Sequence, residues 1–123
     1  MLYYMINEEK NELKETLIKN AKEYYKNALN AENKQEYNTS VTLFFKALSA
    51  LCDIYILIKE DKIPSSHSER FRILEFKYPE IYKVINKDFP FYQDSYKSRL
   101  NKEVSDMLKE DVENLSRELK ISF

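Results

Sequence analysis

The chain has 123 residues, a third of them charged, with a net charge of −1. That length is one domain, and the near-neutral balance gives no global pull toward nucleic acid or an anionic membrane. Glycine is absent and proline occurs three times, which excludes glycine-type nucleotide loops and tight β-hairpins and points to long helices with short connections. One cysteine, Cys52, and one histidine, His67, make neither an intrachain disulfide nor, with carboxylates scattered over helix surfaces, a metal cluster. No cofactor is expected, and a cytoplasmic location follows by default.

Residues 1–6, MLYYMI, are apolar but lack a basic leader and are shorter than a signal-peptide core. They read either as a packing segment or as dispensable residues ahead of a start at Met5. Asn7 followed by Glu8 and Glu9 predicts a helix start. Leu13, Leu17, Ala21, Tyr24, Tyr25 and Ala28 give that helix one apolar face, up to about Ala31. Asn33 and Glu36 have the spacing of a capping box, which predicts a short turn and an antiparallel hairpin with a second helix from about Lys34 to Lys59.

The centre of the second helix, Val41 to Ile58, reads VTLFFKALSALCDIYILI. Its only polar residues are Thr42, Lys46, Ser49 and Asp53, spaced 4, 3 and 4 apart, the period of one helix face. A membrane span fits the length. The charges inside the stretch and the charged chain around it favour the central helix of a bundle instead. Burying Lys46 or Asp53 costs energy unless each is solvated or paired. The stripe is therefore expected to face solvent, the alternatives being a cleft or a subunit contact that uses Lys46 and Asp53.

Residues 60–65 read as a loop containing Pro64. Ser66 and Glu69 form a second capping box. Phe71, Leu74, Tyr78, Ile81, Tyr82, Ile85 and Phe89 then stay in helical phase across Pro79, so a break is predicted near Tyr78 with Pro79 opening the continuation. Asp88 and Pro90 predict a further stop, followed by a short helix with Tyr92, Tyr96 and Arg99 on one face. Asn101 is the predicted cap of a last helix with Val104, Leu108, Val112, Leu115 and Leu119 as its apolar edge. The expected fold is all-α, an up-and-down bundle of five or six helices in a single domain.

Three groups are candidates for chemistry. His67 lies between Ser66 and Ser68 at a helix start and reads as part of the Ser66–His67–Glu69 cap rather than as a base. Tyr92, Tyr96 and Arg99 are either the rings and guanidinium of a site for bases or phosphate, or core tyrosines beside a surface arginine. The stretch 67–99, with seven basic and five acidic side chains, is the mildly basic part of the chain. The Ala21–Tyr24–Ala28 hairpin has the look of a tetratricopeptide unit, but neither its glycine nor its 34-residue repeat is present.

The order AKEYYKNAL, a turn, EYNTSVTLFFKALSALCDIYI, IPSSHSERFRIL and a helix ending YKSRL resembles the HEPN superfamily over about residues 13–119. The resemblance implies a small helical bundle that forms a homodimer. It also implies either a metal-independent RNase, often a toxin of a toxin–antitoxin pair, or a non-catalytic partner of a small nucleotidyltransferase. Active members carry an Arg, then four to six intervening residues, then a His. Arg99 falls where the family arginine belongs. The positions open to the histidine hold Val104, Ser105 and Asp106, none of which exchanges a proton near neutral pH as imidazole does. The expectation is therefore a non-catalytic interaction or nucleotide- and RNA-binding module with Arg99, Tyr96 and Tyr92 as ligand contacts, the alternative being an RNase that uses Arg99.

Overall fold

The computed structural model describes residues 7–123, and within them every regular element is a helix. There are five: α1 Asn7–Asn33, α2 Tyr37–Glu60, α3 His67–Lys77, α4 Pro79–Asp94 and α5 Lys102–Glu118. The protein is an all-α bundle. The expectations for residues 1–6 lie outside the described residues.

α2 is the element the others cover. Fourteen of its 24 residues are buried, including Phe44, Phe45, Leu48, Leu51, Ile54, Ile56 and Leu57. By length and composition it is apolar enough to cross a membrane, but 72% of that stretch is buried inside the bundle, as in a core helix. α1 packs antiparallel to it, with Tyr25 against Phe44 at 5.8 Å between ring centroids and Lys10 paired with Asp61 at the far end. Leu108, Val112 and Leu115 of α5 and Ile81 and Ile85 of α4 complete the core.

The turn between α1 and α2 differs from the expected capping box. Asn33 ends α1, and Glu36 precedes α2 without a side-chain cap. The chain closes α1 through backbone bonds instead, Glu36 N–H to Ala31 C=O at 2.9 Å and Gln35 N–H to Glu32 C=O at 2.9 Å, with Gln35 left-handed at φ 61°. That is a Schellman turn, built here without glycine. The other two N-caps form, although the Glu69 carboxylate of the expected box accepts from the Ser65 hydroxyl. The Ser66 hydroxyl accepts from Glu69 N–H at 3.1 Å, and the Asn101 side chain from Val104 N–H at 3.1 Å.

Pro79 breaks the helix as the sequence predicts: Tyr78, at φ −134° and ψ 64°, separates α3 from α4. Pro90 does not. α4 runs through it to Asp94, so no separate short helix carries Tyr92, Tyr96 and Arg99. One lost ladder bond is outweighed there by burial, because Phe89 and Tyr92, on either side of Pro90, both pack on Phe45. Asn38 then holds the segment after α4. It donates to Ser95 C=O at 2.9 Å and to Ser98 C=O at 2.6 Å, and it accepts from Leu100 N–H at 2.9 Å.

Two polar clusters lie among the helices. Ser40 and Ser105 hydroxyls meet at 2.7 Å, and Ser105 and Lys109 both donate to Glu32 at 2.7 Å, tying α1, α2 and α5 together. Between α4 and α5, Asp88 is fully buried and neither carboxyl oxygen receives a hydrogen bond. Its neighbours are Asp111 and Lys87, whose ammonium is 3.9 Å from Asp88 and 3.0 Å from Asp111. Two carboxylates cannot donate to each other, so the contact becomes a hydrogen bond only when one carries a proton. Burial, then Asp111, pushes Asp88 far above the ordinary carboxylate range.

Leu48 and Leu51 are 1% and 0% exposed. Truncating either to alanine is expected to cost about 2–5 kcal/mol, and a loss below about 1 kcal/mol in a urea titration would contradict this packing. Asp88 sets a pH dependence. The folded protein keeps a proton that the unfolded chain releases above its ordinary 3.8, so the stabilisation is complete below that value and is lost as pH rises toward the raised folded value. Asp88→Asn is expected to flatten the fall in urea stability between about pH 5 and 8. A variant weakened equally at every pH would contradict a protonated Asp88.

Candidate functional site

Asp53 sits on the most buried helix at 8% exposure, where a carboxylate needs a cation. Arg70, in the first turns of α3, supplies it in fork geometry: Nε donates to Oδ1 at 2.7 Å and Nη2 to Oδ2 at 3.0 Å. The 61–66 loop makes this possible by carrying the chain back along α2 before α3 begins, with Pro64 buried. Burial works against the Arg70 charge, but Asp53 outweighs it and holds the guanidinium above its ordinary value.

Arg70 also orients His67. Its Nη1 lies 2.8 Å from His67 Nδ1. A guanidinium only donates, so Nδ1 is the acceptor and the neutral ring carries its hydrogen on Nε2. Although His67 lies at the surface, its ring rests among Phe45, Phe89 and Tyr92, at centroid distances of 6.4, 5.9 and 6.2 Å. Desolvation by that packing, then the Arg70 charge, lowers His67 below its ordinary 6.5. At neutral pH it is an uncharged ring with one N–H to give and no free lone pair, so it serves as a donor and not as a general base.

A cleft of about 260 Å³ opens beside this constellation. Lys46, Ser49 and Asp53 of α2, His67 and Arg70 of α3, Tyr24 and Asn20 of α1 and Tyr92 of α4 line it. The polar stripe of α2 therefore lines a cleft instead of facing open solvent. Its other member, Thr42, donates to Ser95 Oγ at 2.9 Å and so helps hold the segment after α4. Lys46 is exposed and rests its ammonium 5.9 Å above the Tyr24 ring. Ser49 is 8% exposed, and its hydroxyl has no hydrogen-bond partner.

The structure thus gathers Lys46, Asp53, His67 and Tyr92 and leaves Arg99 out. Arg99 lies exposed between α4 and α5, joined to no other described residue by a hydrogen bond or ion pair, and it is not part of the cleft lining. Tyr96 is 73% exposed. It is linked to the cleft only through Tyr92, the two hydroxyls being 3.0 Å apart. That hydrogen bond, with burial, pushes the Tyr92 hydroxyl up to about 12. Of the cap residues, Ser66 caps α3, Glu69 accepts from the Ser65 hydroxyl at 2.9 Å, and His67 faces the cleft. Arg70, Ser49, Tyr24 and Asn20 were not singled out as site residues from the sequence. Arg70 had a signal, an arginine one turn after the only histidine in a capped helix start.

Burial pushes the Cys52 thiol far up, so it stays protonated. Ser105 is held by Ser40 and Glu32, and hydrogen bonding from Lys102 keeps Asp106 below the usual carboxylate range and ionised. Among the described residues, no three His, Cys, Asp or Glu side chains gather into a metal site. No protein-family model, curated protein or solved structure matches this chain.

Removing Arg70 alone leaves Asp53 buried without its cation. Arg70→Met is expected to cost about 3 kcal/mol, and adding Asp53→Leu to recover most of it. Equal losses for the single and double variants in urea titrations would mean the pair does not hold α3.

Proposed function

We propose that this chain is a HEPN-like, non-catalytic module that acts in the cytoplasm as a homodimer, either as the interaction partner of a small nucleotidyltransferase or as a nucleotide- or RNA-binding domain, and of the two the cleft favours binding. The binding centre is the cleft along the polar stripe of α2, with Lys46, Ser49, His67 and Tyr92 on its walls. Arg99 and Tyr96, exposed at the end of the bundle, stand as secondary contacts for a longer ligand. The family reading rests on the resemblance of the helix pattern over about residues 13–119, with which an all-α bundle is compatible.

The observation that carries the non-catalytic reading is the Arg70–His67 hydrogen bond. It occupies the only imidazole lone pair that a neutral Nε2–H tautomer has. Val104, Ser105 and Asp106 provide no replacement near Arg99. Metal-independent RNA cleavage needs a group that takes a proton from the attacking hydroxyl and another that returns one. Binding asks less of the site, namely cationic and hydrogen-bonding groups beside aromatic rings.

The test is binding and cleavage of one short RNA by wild type and by Arg99→Ala. Binding without cleavage is expected from both proteins, with Arg99→Ala weakening binding only modestly because it removes one exposed cation. Cleavage by wild type that disappears in Arg99→Ala would overturn the non-catalytic reading and establish an RNase that uses Arg99.

A further inference from the structure

The chemistry of the cleft narrows its ligand. Asp53 is the only carboxylate on the wall, and Arg70 takes both its oxygens. Lys46 is left without a carboxylate partner, and His67 presents Nε2–H. Ser49 follows Lys46 by three residues on one face of α2. It holds a hydroxyl that is shielded from solvent and unpartnered, an arrangement folding alone does not favour. Donors therefore exceed acceptors, and one of them is a buried polar group with nothing inside the protein to bind.

We propose that the cleft binds the terminal phosphate of a small phosphomonoester, with Lys46 as the charged contact, Ser49 as the inner hydroxyl contact and His67 Nε2–H as the third donor. This rests on the reading that the cleft is the module's binding centre. A phosphomonoester offers three free oxygens and nearly two charges at neutral pH, matching an ammonium, a hydroxyl and an imidazole N–H. A backbone phosphodiester offers two free oxygens and one charge, and its chain must leave the site on both sides. The volume agrees with the smaller ligand. At about 260 Å³ the cleft falls just under the roughly 300–1,000 Å³ of drug-sized sites, enough for a phosphate with part of one attached group but not for two nucleotides. Lys46 is exposed, and both it and Ser49 line the cleft.

Calorimetric titration of the full chain with AMP, adenosine and the dinucleoside monophosphate ApA separates these ligands. AMP is expected to bind, with inorganic phosphate competing, while adenosine and ApA bind at least about tenfold more weakly, the discrimination expected from one charged hydrogen bond. Lys46→Gln is expected to weaken AMP by about tenfold or more on the same grounds. Ser49→Ala is expected to weaken AMP and at the same time raise the thermal midpoint, because it deletes a buried hydroxyl that has no partner. Circular dichroism confirms that each variant is folded.

Equal affinity for AMP and adenosine, equal affinity for AMP and ApA, or an unchanged AMP affinity in Lys46→Gln would overturn the proposal. So would a lowered midpoint in Ser49→Ala, which would show the hydroxyl to be satisfied within the protein. A ten-nucleotide RNA without a terminal phosphate separates this inference from the broader one. If that RNA binds and AMP does not, the phosphomonoester site falls and the binding module stands. If neither binds, both fall.

Discussion

Asp53 is a carboxylate on the helix that the whole bundle covers, and the placement of α3 follows from the cation it requires. A charge on α2 at 8% exposure is tolerable only when paired and hydrogen-bonded. Arg70 meets that need, and in doing so fixes the first turns of α3 against α2. His67 comes with it, three residues earlier on the same helix, and accepts a third hydrogen bond from the guanidinium. The cleft is what lies between this pinned helix start, α1 and the far end of α4. The histidine tautomer is a consequence of the ion pair's position.

The bundle handles its buried polar groups in three ways. Asp53 is paired in fork geometry. Ser40, Ser105, Glu32 and Lys109 satisfy one another across three helices. Asp88 is neutralised by a retained proton beside Asp111. Ser49 fits none of these, which sets it apart from every structural polar group around it. A hydroxyl left unpartnered on a buried helix face is the kind of local cost found at functional sites.

Much of the fold was legible in the sequence. The apolar run of α2 identified the central helix, and Ser66, Pro79 and Asn101 marked real boundaries, because caps and proline breaks depend on local chemistry. Two boundary readings failed where tertiary packing or backbone geometry took over. Asn33 and Glu36 had the spacing of a capping box, but Gln35 in a left-handed conformation closed α1 through its backbone. Pro90 looked like a stop, but Phe89 and Tyr92 on Phe45 carried the helix past it. The site was less legible. The 4, 3, 4 spacing placed Lys46, Ser49 and Asp53 on one face, yet a helical period cannot say what covers that face. The partner, Arg70, stands 17 residues beyond Asp53, and only the path of the 61–66 loop brings them together. Arg99 was chosen by its spacing from Tyr92 and Tyr96 and by its position in a family pattern, and the structure places it outside the cleft.

Arg70 holds His67 as a neutral donor, with Nδ1 occupied and Nε2–H turned to the cleft wall. Long-range nitrogen–proton NMR of the single imidazole at neutral pH reads this directly, since the two ring nitrogens have distinct shifts in each tautomer and in the cation. An uncharged ring with its hydrogen on Nε2 is expected in the wild type, and loss of that fixed tautomer in Arg70→Met. A hydrogen on Nδ1 in the wild type, or a charged ring at neutral pH, would contradict it.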